Sequence, residues 1–190
     1  LSFEKLHLAG PDLSSYELGK PIVARDRGRL LGSVDPVEVS ADRSEVRISR
    51  FLPSPSVKTE QRNFGPLLLV EVTMFLAERF PSIQSVHFTL TREIEMYGDG
   101  MMVAAARIEL LRSIGATNVH ARPKPDPSKP GNFVLQGVWL YTEDNLGALR
   151  AALTTQRALY REHLRRVRAD KRPVQLLRRL QQWWSNDGPR

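Results

Sequence analysis

The stretch Arg62-Asn63-Phe64-Gly65-Pro66-Leu67 stands between a strand-like run and a helix-like run, a place where a chain can take hold of a phosphate. Glycine at 65 lets the backbone approach an anion closely, and the helix that follows offers unpaired N–H groups and a partial positive charge of about half an electron. Lys58 and Arg62 would add mobile positive charge, and the amides of Asn63, Phe64 and Gly65 would donate. A second group of reactive types lies in Thr91-Arg92-Glu93-Ile94-Glu95-Met96-Tyr97-Gly98-Asp99-Gly100. It follows a central strand, where open α/β sheets place their ligands. Glu93 or Glu95 suits a general base, directly or through a water, and Tyr97 suits an acid.

Other chemistries find no support. The chain has no cysteine, which excludes disulfides, thiolate metal sites and a cysteine nucleophile. Histidines 7, 87, 120 and 163 have no metal-binding helix spacing, and no metal is expected. His87 and His120 fall on separate expected strands and could meet across a sheet. There is no Gly-x-Ser-x-Gly elbow, no Gly-x-x-x-x-Gly-Lys-Ser/Thr loop and no Gly-x-Gly-x-x-Gly turn.

The elements that must position these residues follow from periodicity. Residues 21–25 and 29–39 predict two strands around Asp26-Arg27-Gly28, with Gly28 supplying a positive φ. Pro36 implies a bulge or an edge in the second. Residues 44–51 alternate, with Val46 and Ile48 on one face and Arg47 and Ser49 on the other. The next helix is expected over 66–79, opened by Pro66, stopped by Pro81, and with a core face of Leu68, Val72, Phe75 and Leu76. A strand over 84–91 puts Val86, Phe88 and Leu90 on one face. A helix over 101–114 ends at Gly115, and two strands, 118–122 and 133–141, flank a proline-rich loop. Thr142 caps a long helix with an apolar stripe of Leu146, Leu149, Leu153, Tyr160, Leu164 and Val167. Pro173 is expected to end it, with a short helix carrying Trp183 and Trp184 beyond.

This element order, from about residue 20 to 141, resembles the core of the GNAT N-acetyltransferase superfamily. Arg62-Asn63-Phe64-Gly65-Pro66-Leu67 is similar to the family's Gln/Arg-x-x-Gly-x-Gly/Ala loop, and Ala106 to Ala116 is similar to its Ala-x-x-Leu-Tyr-x-x-x-Gly-Phe segment. The resemblance implies an α/β fold, a GNAT-like mixed central sheet flanked by helices, here with a basic helical extension at the C-terminus. It implies acetyl-CoA or another acyl-CoA as cofactor, its pyrophosphate held by Lys58, Arg62, Asn63, Phe64 and Gly65. The implied activity is acyl-CoA-dependent N-acyl transfer to an unidentified acceptor. The sequence departs from the pattern at Leu67, at Pro66, which lacks an N–H, at Leu111, where the family's proton-donating tyrosine stands, and at Ala116, where it has an aromatic. A catalytically degenerate member is therefore also implied.

Charge separates the chain in two. Of its 28 basic and 21 acidic residues, 11 and 3 lie between Arg150 and Arg190, so the body is nearly neutral and the tail holds the excess. The expected division is an acyltransferase-like domain over 1–141 and a basic amphipathic tail over 142–190. Such a tail suits an acidic partner (nucleic acid, anionic membrane or protein), and a non-enzymatic interaction protein is the alternative function. Leu146, Leu153, Tyr160 and Val167 recur every seven residues, the spacing of a short homodimer seam or equally of one helix lying against its own sheet. Neither a signal peptide nor a membrane-length apolar run is seen, so a cytoplasmic location is expected.

Overall fold

The computed structural model describes residues 3–12, 15–54, 64–94, 96–124 and 126–186. Nine strands form two sheets. One is antiparallel, ordered β1 (His7–Ala9), β2 (Ile22–Asp26), β3 (Arg29–Val34) and β6 (Phe51–Pro53). The other is mixed, ordered β4 (Glu38–Val39), β5 (Glu45–Ile48), β7 (Ser85–Arg92), β9 (Phe133–Leu140) and β8 (Thr117–Pro123). Helices α1 (Phe64–Arg79), α2 (Tyr97–Ser113) and α3 (Glu143–Asn186) complete the described elements. The expected class, a mixed central sheet flanked by helices, is what the chain adopts.

Local chemistry explains most boundaries. Arg27 and Gly28 take φ of 50° and 80°, the doubly positive turn that matches strand twist in a two-residue hairpin. Asp26 then pairs with Arg29. Pro36 splits the expected 29–39 strand: β3 stops at Val34, and β4 joins the edge of the other sheet. Gly115 ends α2 with φ 86°, its N–H bonding the Arg112 carbonyl and that of Ala116 the Leu111 carbonyl. Thr142 opens α3 as expected, its hydroxyl accepting the Asn145 N–H at 3.3 Å.

The feature that makes room for a site is the behaviour of one extended stretch. β5 runs parallel to β7, from Glu45 opposite Ser85 to Ile48 opposite Phe88. Three residues later the chain has left β7 and pairs with β3, Phe51 opposite Val34. Among the described residues, Thr89 to Arg92 therefore have no strand on that side, although β9 still pairs with them on the other. The two sheets part at this point.

Helix α1 is buried almost all round. The expected face of Leu68, Val72 and Leu76 is buried, but so are Leu67, Leu69, Val70 and Met74, while Phe75 is only half-buried. Two further layers account for this. The N-terminal segment lays Tyr16 on Phe75 and Phe80, with ring centroids 5.5 and 5.8 Å apart, and burial pushes the Tyr16 phenol up to about 12. On another side α3 lays Tyr160 against Phe64 and Phe3. Leu146, Leu149, Leu153 and Tyr160 are buried, each worth about 1.5–3 kcal/mol of transfer from water. The apolar stripe from Leu146 to Tyr160 is thus packed within its own chain, the intramolecular one of the two uses its spacing allows, and does not call for a partner chain. Pro173 does not end the helix either: α3 continues to Asn186. A proline removes one helical hydrogen bond and crowds one carbonyl, which bends a helix without necessarily stopping it. No helix among the described residues is long and apolar enough to cross a membrane.

Candidate functional site

Two alternation patterns converge on the parting of the sheets. In β7, Val86, Phe88 and Leu90 are buried on one face, and Arg92 is the next residue of that face. In α2, Gly100, Ala104 and Leu111 are buried, and Arg107 lies on their stripe. Each pattern calls for an apolar residue and finds an arginine. Both side chains are partly buried. The Nε of Arg92 is shut off from solvent with no hydrogen-bond partner among the described residues. Burial, and after it the nearby charge of Arg92, push the Arg107 guanidinium down to about 10.

The start of α1 adjoins this pair. A methyl group on Gly65 would stand 3.4 Å from Arg107 Nη2, so the glycine lets the guanidinium lie against the helix entrance. The first turn of α1 holds no acidic residue to offset its partial positive charge. Phe64 points its ring into the core beside Tyr160, leaving only its backbone for a ligand. Lys58, Arg62 and Asn63 lie outside the described residues, as does Glu95. Two guanidinium groups and a helix N-terminus together form a site that an anion would stabilise.

Between β6 and the end of β7 lies an opening of about 290 Å³, lined by Arg50, Phe51, Leu52, Thr91, Arg92, Glu93, Lys124 and Asn132. Glu93 faces it but is ion-paired with Lys129. The hydrogen bond from Lys129, and then its charge, hold the Glu93 carboxyl below the usual carboxylate range. That keeps it ionised and makes it a poorer proton acceptor than a free glutamate. Tyr97 is exposed at the start of α2 and lines a different cavity, of about 230 Å³, with Gly100, Met101, Ala104 and Phe133. Glu93 and Tyr97 therefore open onto separate spaces.

The wall between those spaces is a loop locked to the first turn of α2. The Ile94 N–H donates to the buried Asn132 Oδ1 at 2.8 Å, and the Gly131 N–H to the Ile94 carbonyl at 3.0 Å. Gly100 has no room for a side chain, because a Cβ there would run into the Gly131 carbonyl. Gly100→Ala should cost about 1–3 kcal/mol, since backbone rather than a flexible side chain must move. Thermal unfolding of that variant against Gly98→Ala, where a Cβ meets nothing within 4 Å, isolates the steric part.

The histidines do not build a centre. β9 lies between the strands carrying His87 and His120. His87 sits by Ser85 and Glu45, and His120 by Gln136 and the Asn118 carbonyl. No group of three potential metal ligands occurs among the described residues. Leu111 is fully buried.

No family model and no curated protein matches the chain by sequence. Among solved structures it is similar to the N-terminal domain of a ribosomal-protein-alanine acetyltransferase from Clostridium acetobutylicum, at 11% identity and TM-score 0.46 over 76% of this chain and 99% of that one. It is similar to a chimera of the Vibrio cholerae spermidine N-acetyltransferase, at 12% identity and TM-score 0.43 over 68% and 70%. It is also similar to an aminoglycoside acetyltransferase in complex with coenzyme A and kanamycin, at 13% identity and TM-score 0.38 over 69% and 72%.

Proposed function

We propose that this chain is a divergent acyl-CoA-dependent N-acyltransferase of the GNAT type. The observation that carries the reading is the parting of β6 from β7 beside the α1 N-terminus, where Arg92 and Arg107 stand without a carboxylate partner among the described residues. An acyl-CoA fits such a place by its chemistry: a pyrophosphate for the cations and amides, and an extended amide-containing arm for strand edges left unpaired.

When bound, the cofactor supplies an activated acyl group. In this reading the chain's own residues do the rest. Arg107, Arg92 and the Phe64 and Gly65 amides hold the phosphates, with Lys58, Arg62 and Asn63 as further ligands from the preceding segment. The free edge of β7 over Thr89 to Arg92 orients the arm by backbone hydrogen bonds. Glu93, Glu95 and Tyr97 are the groups available for proton transfer, with Leu111 unable to take part. Isothermal titration of the chain with acetyl-CoA and longer acyl-CoAs tests this. Micromolar binding that weakens with salt is expected, and no heat at millimolar ligand would overturn it. Binding without acyl transfer to any amine would instead make the chain a degenerate, acyl-CoA-sensing relative.

A further inference from the structure

We propose, resting on the acyltransferase reading above, that the acceptor is an anionic amine, its carboxylate or phosphate held by Arg50 and Lys124 at the mouth of the opening between β6 and β7. The charges of that opening decide the matter. Its lining contributes Arg50 and Lys124, beside the Arg92 assigned above to the cofactor's phosphates, against one carboxylate, Glu93. Glu93 is already engaged by Lys129. None of the three lining cations has an ion-pair partner among the described residues. Arg50 and Lys124 are exposed and line the space, Arg50 from just before β6 and Lys124 from just past the end of β8. A polyamine entering here would meet positive charge on both walls, whereas an amine tethered to an anion meets a matched pair of donors.

The same cations answer a second requirement of the chemistry. An amine attacks an acyl carbon only as its free base, and neighbouring positive charge disfavours the protonated form. With a singly charged carboxylate between two cations, the net positive charge also lowers the pKa of the amine beside it. This lightens the demand for a general base, and the one described carboxylate on the opening is committed to Lys129. In the transfer the nitrogen forms a bond to the acyl carbon as the carbon–sulfur bond breaks. The nitrogen gives one proton to water, and the departing thiolate takes one from water.

The test is calorimetric binding of matched amines to the full chain saturated with CoA. Glucosamine 6-phosphate against glucosamine reads the phosphate arm, and glutamate against its diamide reads the carboxylate arm, with spermidine as the polycation. In at least one pair the anionic member should bind about tenfold tighter, the scale of a charge-assisted hydrogen bond. Arg50→Glu and Lys124→Glu should abolish that preference without changing the unfolding temperature, because both side chains are exposed. Equal affinities within both pairs, or tighter binding of spermidine, would overturn the inference while leaving acyl-CoA binding intact. Absence of CoA binding in the first titration would remove the reading beneath it as well.

Discussion

Urea denaturation of Glu71→Ala is expected to show about 3–5 kcal/mol less stability than the unmodified chain, the usual result of leaving one partner of a buried ion pair alone. Glu71 stands in the middle of α1, with only 6% of its side chain exposed. Its two oxygens accept from Arg157 Nε and Nη2 at 2.7 and 2.8 Å, and Oε1 also takes the Leu6 N–H at 3.4 Å. One carboxylate thus ties α1 to α3 and to the N-terminal segment. Its hydrogen bond, more than its charge, holds the Arg157 guanidinium above the ordinary range. Truncation would strand that guanidinium and orphan a buried amide in one step. A domain of ordinary stability, about 5–15 kcal/mol, would lose about a fifth of it or more, and thermal unfolding would fall by roughly 10 °C. The control is Glu71→Leu with Arg157→Leu. Replacing both charges by apolar groups should recover most of the loss, since the pair's desolvation cost is removed with its attraction. A double variant as unstable as the single one would show that the carboxylate's role lies in the Leu6 amide instead.

That pair also shows what the sequence could and could not disclose. Elements governed by local chemistry were legible: the Asp26-Arg27-Gly28 hairpin, the alternation of Val86, Phe88 and Leu90, the Gly115 stop and the Thr142 cap all follow from residue type and spacing. What depended on distant segments was not. A helix with one apolar face is the natural reading of residues 66–79, and Leu67, Leu69, Val70 and Met74 could equally lie under a further layer. Only the packing of the N-terminal segment and α3 shows that they do. Heptad spacing of Leu146, Leu153 and Tyr160 cannot distinguish a partner chain from the chain's own α1, because both present the same kind of surface. The site was half legible. Gly65 was marked by its place before a helix, although the side chain beside it, that of Arg107, comes from 42 residues downstream. Arg92 and Arg107 did carry a signal: each interrupts an apolar face at the position where the period demands burial. Reading those faces for their exceptions, rather than for their members, would have found both.

Replacing Arg107 by Met should weaken acyl-CoA binding by about 10- to 150-fold, the range expected for hydrogen bonds to a charged group worth about 1.5–3 kcal/mol, and should leave unfolding temperature equal or raised. The two effects have one cause. Arg107 lies among Gly100, Ala104 and Leu111 on the inner stripe of α2, with Arg92 as its charged neighbour and no carboxylate to offset it among the described residues. Burial already pushes its guanidinium down to about 10, so the folded state bears the cost of a desolvated charge whenever no anion is present. Methionine fills similar space without that charge and is flexible enough to settle beside Gly65. Stability gained where binding is lost is the signature of a residue retained for a ligand. A structural arginine would behave in the opposite way, with its loss lowering stability and leaving acyl-CoA affinity unmoved. Arg92→Met provides the companion measurement. Its Nε has no hydrogen-bond partner among the described residues, so it should lose binding in the same direction. Because both cations would meet the same phosphates, the loss in the double variant should differ from the sum of the two single losses. A strictly additive loss would mean that they serve separate ligand groups.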